Sequence, residues 1–124
     1  MTINEVIRRV DAFKPNRFSL AQKVEWIGSI EGQIYRELVQ THENPDNITI
    51  GEFNGDTDLD RKLIAPFPYD EVYALYVQSQ IDLGNMEITK YNNSKTLFNN
   101  AYLTLRDYWN RTYMPVCAVK AFKV

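Results

Sequence analysis

Three carboxylates at alternate positions, Asp56, Asp58 and Asp60, are the nearest approach of this chain to a chemical motif. Carboxylates spaced in this way can converge on one hard cation, and they match the start of a calcium-binding loop. The rest of such a loop is missing, because its obligatory Gly position holds Arg61 and its bidentate Glu position holds Phe67. The segment therefore reads as a solvated acidic loop. His42 is the only histidine and Cys117 the only cysteine, which removes His-pair zinc sites and intramolecular disulfides. A nucleophile needs a base and an orienting group beside it, and no such set is marked in the sequence. Cys117 reads as a small buried hydrophobe, and His42 as a residue just past a helix end, where a cation can face the dipole. The glycines are scattered singly, with no phosphate-cradling run. The expectation is a protein that is not an enzyme and has no cofactor or metal.

Aromatic residues are the other unusual feature. Tyr69, Tyr73, Tyr76, Tyr91, Tyr102, Tyr108, Trp109 and Tyr113 crowd the second half of the chain. Tyr joins a large apolar area to a polar tip, so it suits half-buried core positions and protein interfaces alike. The candidate interface residues are Tyr69, Tyr73, Tyr76, Tyr102, Tyr108, Trp109, Tyr113 and, in the tail, Phe122. Stacking on single-stranded nucleic acid would want interleaved cations, for which only Lys90, Lys95, Arg106 and Arg111 are at hand.

Four helices must carry these residues. Thr2 to Glu5 form a capping box that opens a helix over about 2–13, with Ile3, Val6, Ile7 and Val10 on one stripe and Pro15 as its stop. Ser19 to Gln22 form a second box, opening a helix over 19–41 with Leu20, Val24, Ile27, Glu31, Ile34, Tyr35 and Leu38 facing inward. Gly28 and Gly32 inside it mark either close approach by another helix or simple tolerance. Residues 42–66 are rich in turn formers and read as a long loop, with Ile48-Thr49-Ile50 as a short strand. A helix over 69–83 follows, carrying Val72, Leu75, Tyr76, Ser79 and Leu83 inward and closed by Gly84. Asn85 caps a last helix over 86–113, making an antiparallel hairpin. At about 1.5 Å per residue that helix exceeds the width of so small a globule, so part of it is expected to pack on another molecule. The tail, 115–124, is β-prone.

The totals agree with one domain, 1–124, of mainly all-α class: a compact four-helix body with an acidic loop and an extended tail. A chain of 124 residues with 44% hydrophobic residues can fold on its own core. Glu43 to Asp60 hold six acidic residues and no Lys or Arg, so that segment carries −6 and the remainder, against a total of −2, carries +4. The net charge disfavours sequence-independent nucleic-acid binding. No apolar run approaches the roughly 20 residues of a membrane span, and neither a signal peptide nor paired cysteines point to secretion. The Asn-x-Ser/Thr triplets starting at Asn47, Asn92 and Asn110 then carry no meaning.

From Leu63 onward a longer pattern is present: Leu63-Ile64-Ala65-Pro66-Phe67-Pro68-Tyr69-Asp70-Glu71-Val72-Tyr73, Gln80-Ile81-Asp82, Tyr91-Asn92-Asn93-Ser94, Phe98-Asn99-Asn100-Ala101-Tyr102 and Tyr108-Trp109-Asn110-Arg111-Thr112-Tyr113-Met114-Pro115. It resembles the head-tail connector, or head-completion, proteins of tailed phages and prophages of Gram-positive bacteria, most sharply over 63–115. The resemblance implies a helical structural subunit that rings the portal vertex after DNA packaging and extends the DNA channel. It also implies partners, the portal protein and a neighbouring connector or tail-completion protein. The subunit would be monomeric until the portal templates the ring, found in the host cytoplasm during assembly and then in the virion. Asp56, Asp58 and Asp60 would line a channel wall that repels DNA. The competing reading is a small regulatory or nucleic-acid-binding module such as a packaging subunit, for which Arg8, Arg9, Lys14 and Arg17 are the one basic cluster.

Overall fold

A computed structural model of the chain describes residues 1–54 and 56–116. It is a mainly helical domain of four helices: α1 (Ile3–Phe13), α2 (Leu20–Ile34), α3 (Glu71–Gly84) and α4 (Ile88–Thr112). Both expected N-caps form, Thr2 Oγ1 accepting from the Glu5 amide at 3.2 Å and Ser19 Oγ from the Gln22 amide at 3.1 Å. Each satisfies a donor that the first helical turn leaves free. After Ile34 the second helix continues as one π turn, Tyr35–Val39, in which Gln40 N–H reaches Tyr35 O at 2.9 Å. Asn85 caps the end of α3, not the start of α4; Gly84 still belongs to α3, and α4 begins after Glu87 without a side-chain cap. Ile48-Thr49-Ile50 is not a strand, and the described residues contain only two isolated bridges, Thr2 with Lys62 and His42 with Pro115.

The helices alternate in direction, and α3 packs against the other three. Residue pairs fix the sense of each. Lys14 at the end of α1 meets Asp82 at the end of α3, and Phe18 ahead of α2 meets Gly84. Ser94 early in α4 meets Asp82, while Tyr108 late in α4 stacks on Tyr69 ahead of α3. The core joins Ile3, Val6 and Val10 of α1 to Val24, Ile27, Ile30 and Ile34 of α2, Val72, Val77 and Ile81 of α3, and Phe98, Leu105 and Trp109 of α4. Each such side chain contributes about 1.5–3 kcal/mol on burial. Because α3 is central it is buried nearly all round, so a single inward stripe misdescribes it. Tyr73, Val77 and Ile81 are enclosed, whereas Leu83, expected inside, is exposed. Leu20, also expected on an inward stripe, is exposed as well.

The long loop is part of the fold. Leu63 and Ala65 are buried in the core, and the segment before them lies along α2. A Cβ on Gly28 would come within 2.5 Å of Phe53 Cβ, and one on Gly32 within 4.0 Å of Ile50 Cδ1. Gly28 therefore seats this loop, where the spacing anticipated another helix, whereas Gly32 has room for a Cβ and fits the reading of simple tolerance. Of the tail, residues 117–124, with Cys117 and Phe122 among them, lie outside the described residues.

Candidate functional site

The aromatic set divides by depth. Tyr73, Tyr102 and Trp109 are core residues of this chain, which removes them as interface candidates: each is consumed by contacts within the fold. Tyr73 is held between α2 and α3, and its hydroxyl donates to Glu31 Oε1 at 2.6 Å and accepts the Ala65 amide at 2.8 Å. The Tyr102 hydroxyl donates to Glu37 Oε1 at 2.9 Å. Burial, reinforced by Glu37, raises its pKa above the ordinary tyrosine range. Trp109 packs between Tyr108 and Tyr113, with centroids 6.4 and 5.0 Å away. Tyr69, Tyr76, Tyr108 and Tyr113 are half-buried at the margin of the core. Tyr69 stacks on Tyr108 at 4.5 Å, and Tyr76 meets Phe98 edge-on at 5.3 Å. Such pairs contribute about 0.5–1.5 kcal/mol each beyond their buried area. These four still present an edge to the outside, and they are the part of the set available to a partner.

Asp56, Asp58 and Asp60 are exposed and do not converge. Asp58 Oδ1 accepts the amide of Asp60 at 3.0 Å, and Asn54 Oδ1 accepts the amide of Asp56 at 2.8 Å, so local turns shape the segment. Among the described residues no three His, Cys, Asp or Glu side chains gather as a metal-binding group. His42 is buried: its Nδ1 meets the Leu38 carbonyl at 2.8 Å and its Nε2 the Asn110 side-chain amide at 2.7 Å. It ties the end of the second helix to α4.

Two buried carboxylates carry structural weight the sequence did not announce. Asp82 is fully buried, and its Oδ2 accepts from Lys14 Nζ and Ser94 Oγ, both at 2.6 Å. It pins α1 and α4 to α3. Glu31 is 3% exposed and accepts the Ile64 amide on Oε2 at 2.9 Å and the Tyr73 hydroxyl on Oε1. Burial pushes its pKa up, opposed by those two hydrogen bonds and by the nearby charge of Arg61. A Glu on an otherwise apolar helical stripe was the one signal that could have found it.

Exposed apolar side chains supply the remaining feature. The tip of the α3–α4 hairpin carries Leu83 at 44%, Met86 at 82% and Ile88 at 58% relative exposure. Farther back, Phe13 (74%) and Leu97 (56%) flank a cleft of about 280 Å³ lined also by Arg9, Glu71, Leu75 and Gln78. Single exposed apolar residues are ordinary, and here three fall within six positions around one helical hairpin turn. No helix is long and apolar enough to cross a membrane among the described residues. Comparison with family models, curated proteins and solved structures gives no match to this chain.

Proposed function

We propose that this chain is a structural virion protein, a head-tail connector subunit that joins the portal vertex to the next connector or the tail and works through surface complementarity alone. The observation that carries the reading beyond the sequence resemblance is the exposed apolar group on the α3–α4 hairpin, Leu83, Met86 and Ile88. The hairpin lies within the stretch 63–115 that carries the resemblance. A lone subunit gains nothing from holding these side chains in water, whereas a ring in which each hairpin meets a neighbour buries them. The half-buried edges of Tyr69, Tyr76, Tyr108 and Tyr113 suit the same kind of contact. The exposed Asp56, Asp58 and Asp60 are consistent with a wall that repels a passing duplex.

The test is the mass of the chain in solution, alone and mixed with the portal protein encoded beside it, by light scattering coupled to size exclusion. A ring-sized co-eluting complex is expected, and it should be lost in a Met86→Asp, Ile88→Asp double variant that keeps its helical circular dichroism. Separate elution at every ratio would refute the reading, and salt-dependent DNA binding by the isolated chain would favour a packaging or regulatory module instead.

A further inference from the structure

Residues 59–65 cross the N-terminal end of α1 and enter the core beside α2 and α3. Their backbone is fastened at five points. Leu59 O and Arg61 O accept the first free amides of α1, those of Asn4 at 2.9 Å and Ile3 at 3.3 Å. Leu63 N–H donates to Met1 O at 3.0 Å. The last two fastenings are the buried pair already described: Ile64 N–H on Glu31 Oε2, and Ala65 N–H on the Tyr73 hydroxyl that itself donates to Glu31 Oε1. One carboxyl group thus stands behind two of the five. From the geometry we infer that residues 59–65 form a strap whose hold on the helical body is set by the charge on Glu31, firm when the carboxyl is neutral and looser when it is ionised.

The argument turns on what surrounds that carboxyl. From α3 it faces Tyr73, with Asp70 nearby; from the strap it feels Arg61, and from the N-terminus the Met1 ammonium. None of these cations reaches it. The Met1 ammonium sits 3.5 Å from Asp70 Oδ2, and Arg61 donates from Nη2 to Glu52 O at 2.6 Å with its guanidinium over the Phe53 ring. Two neutral donors are all that compensate a carboxylate taken almost wholly out of water, and a buried ion without a paired cation is unfavourable. Opening the strap frees the group to be hydrated. The neutral acid has no such incentive, since its burial carries no ionic cost: a proton on Oε2 leaves Oε1 accepting the Tyr73 hydroxyl and leaves Oε2 a lone pair for the Ile64 amide. The carboxyl thus keeps its proton to higher pH in the closed form than in the open form, and rising pH favours opening.

Amide hydrogen exchange by NMR on the full chain, between pH 4 and 8, tests this. After correction for intrinsic exchange, the protection of the Ile64 and Ala65 amides should fall together as pH rises, by at most about tenfold per pH unit because one proton is involved, and then level off. Amides of the central core, such as Val77 and Leu105, should hold constant, and the Glu31 carboxyl carbon shift should titrate over the same range. In Glu31→Gln, which keeps an acceptor but cannot ionise, the protection should be high and flat. A flat profile in the native chain, an unchanged slope in Glu31→Gln, parallel loss in the core amides, or a carboxyl titration in a different range would each overturn the inference. The native profile decides the matter even if the variant does not fold.

Discussion

Gly28 and Gly32 sit one helical turn apart on α2, and the same substitution should have opposite effects at the two. On an isolated helix, replacing Gly by Ala stabilises by about 1 kcal/mol. At Gly32 an added Cβ finds only Ile50 Cδ1, at 4.0 Å, an ordinary contact. Gly32→Ala should therefore stabilise by about 1 kcal/mol. At Gly28 the added Cβ would lie 2.5 Å from Phe53 Cβ and 2.7 Å from Phe53 Cγ. Carbon atoms settle at about 3.5–4.0 Å, and Phe53 Cβ is fixed to the loop backbone, so the loop itself must lift by about 1 Å or more. Overpacking of this kind costs about 1–3 kcal/mol. Lifting Phe53 also disturbs the Arg61 guanidinium 4.4 Å above its ring, a contact worth about 0.5–1 kcal/mol at an exposed site. Set against the helix propensity gain, Gly28→Ala should destabilise by about 1–2 kcal/mol. Urea unfolding of both single variants reads this directly. In a Phe53→Gly background the obstructing atoms are gone, and Gly28→Ala should change sign and stabilise by about 1 kcal/mol. Equal stabilisation by Gly28→Ala with Phe53 present and absent would refute the seating of the loop on α2.

Other outcomes follow from the buried polar groups and the core. Lys14→Met leaves the Asp82 carboxylate fully buried with only Ser94 as donor, and should destabilise by about 3 kcal/mol in urea titration; adding Asp82→Asn should recover much of the loss. Tyr73→Phe strands the buried Ala65 amide and removes a donor from Glu31, for a loss of about 1–3 kcal/mol by thermal unfolding. Leu105→Ala empties a fully buried position where α4 meets the core, and should cost about 3–5 kcal/mol. The pH dependence of global stability has a definite sign at Glu31. Its folded-state pKa lies above its ordinary value of 4.5, so the folded chain holds the proton longer than the unfolded one. That contribution is fully present below pH 4.5 and is lost as pH rises through the raised folded value. The difference in urea stability between native chain and Glu31→Gln should therefore shift in favour of the variant with rising pH, and a pH-independent difference would contradict it.

Helix positions were legible in the sequence because capping chemistry and apolar spacing agree: Thr2 and Ser19 begin helices where their hydroxyls reach the third amide onward. The hairpin was legible because only a few residues separate Leu83 from Ile88. What was not legible depends on tertiary position. Leu83 satisfies the spacing of an inward stripe yet lies outside, because in the last turn of α3 it is Asp82 that meets Lys14 and Gly84 that meets Phe18, which leaves Leu83 on the open side. Tyr73 and Tyr69 have the same chemistry and neighbouring positions, but one faces Glu31 in the core and the other stacks at its margin. Nothing in residue type distinguishes them. The glycine pair on α2 signalled a close approach, and only the chain path over Phe53 identifies what approaches.

The loop between α2 and α3 shows why composition alone misjudges such a segment. Its acidic, turn-rich half has the makeup of a solvated connector, and Asp56, Asp58 and Asp60 are indeed exposed. Its other half supplies Leu63 and Ala65 to the core, caps α1 through two carbonyls and presents two amides to a buried carboxyl. Charge and anchorage are thus carried by adjacent residues of one segment, with Arg61 and Lys62 at the boundary. The Glu31–Tyr73 pair holds the segment just before the backbone enters α3, the helix that packs against the other three, so the anchored half is fixed where the fold is most connected.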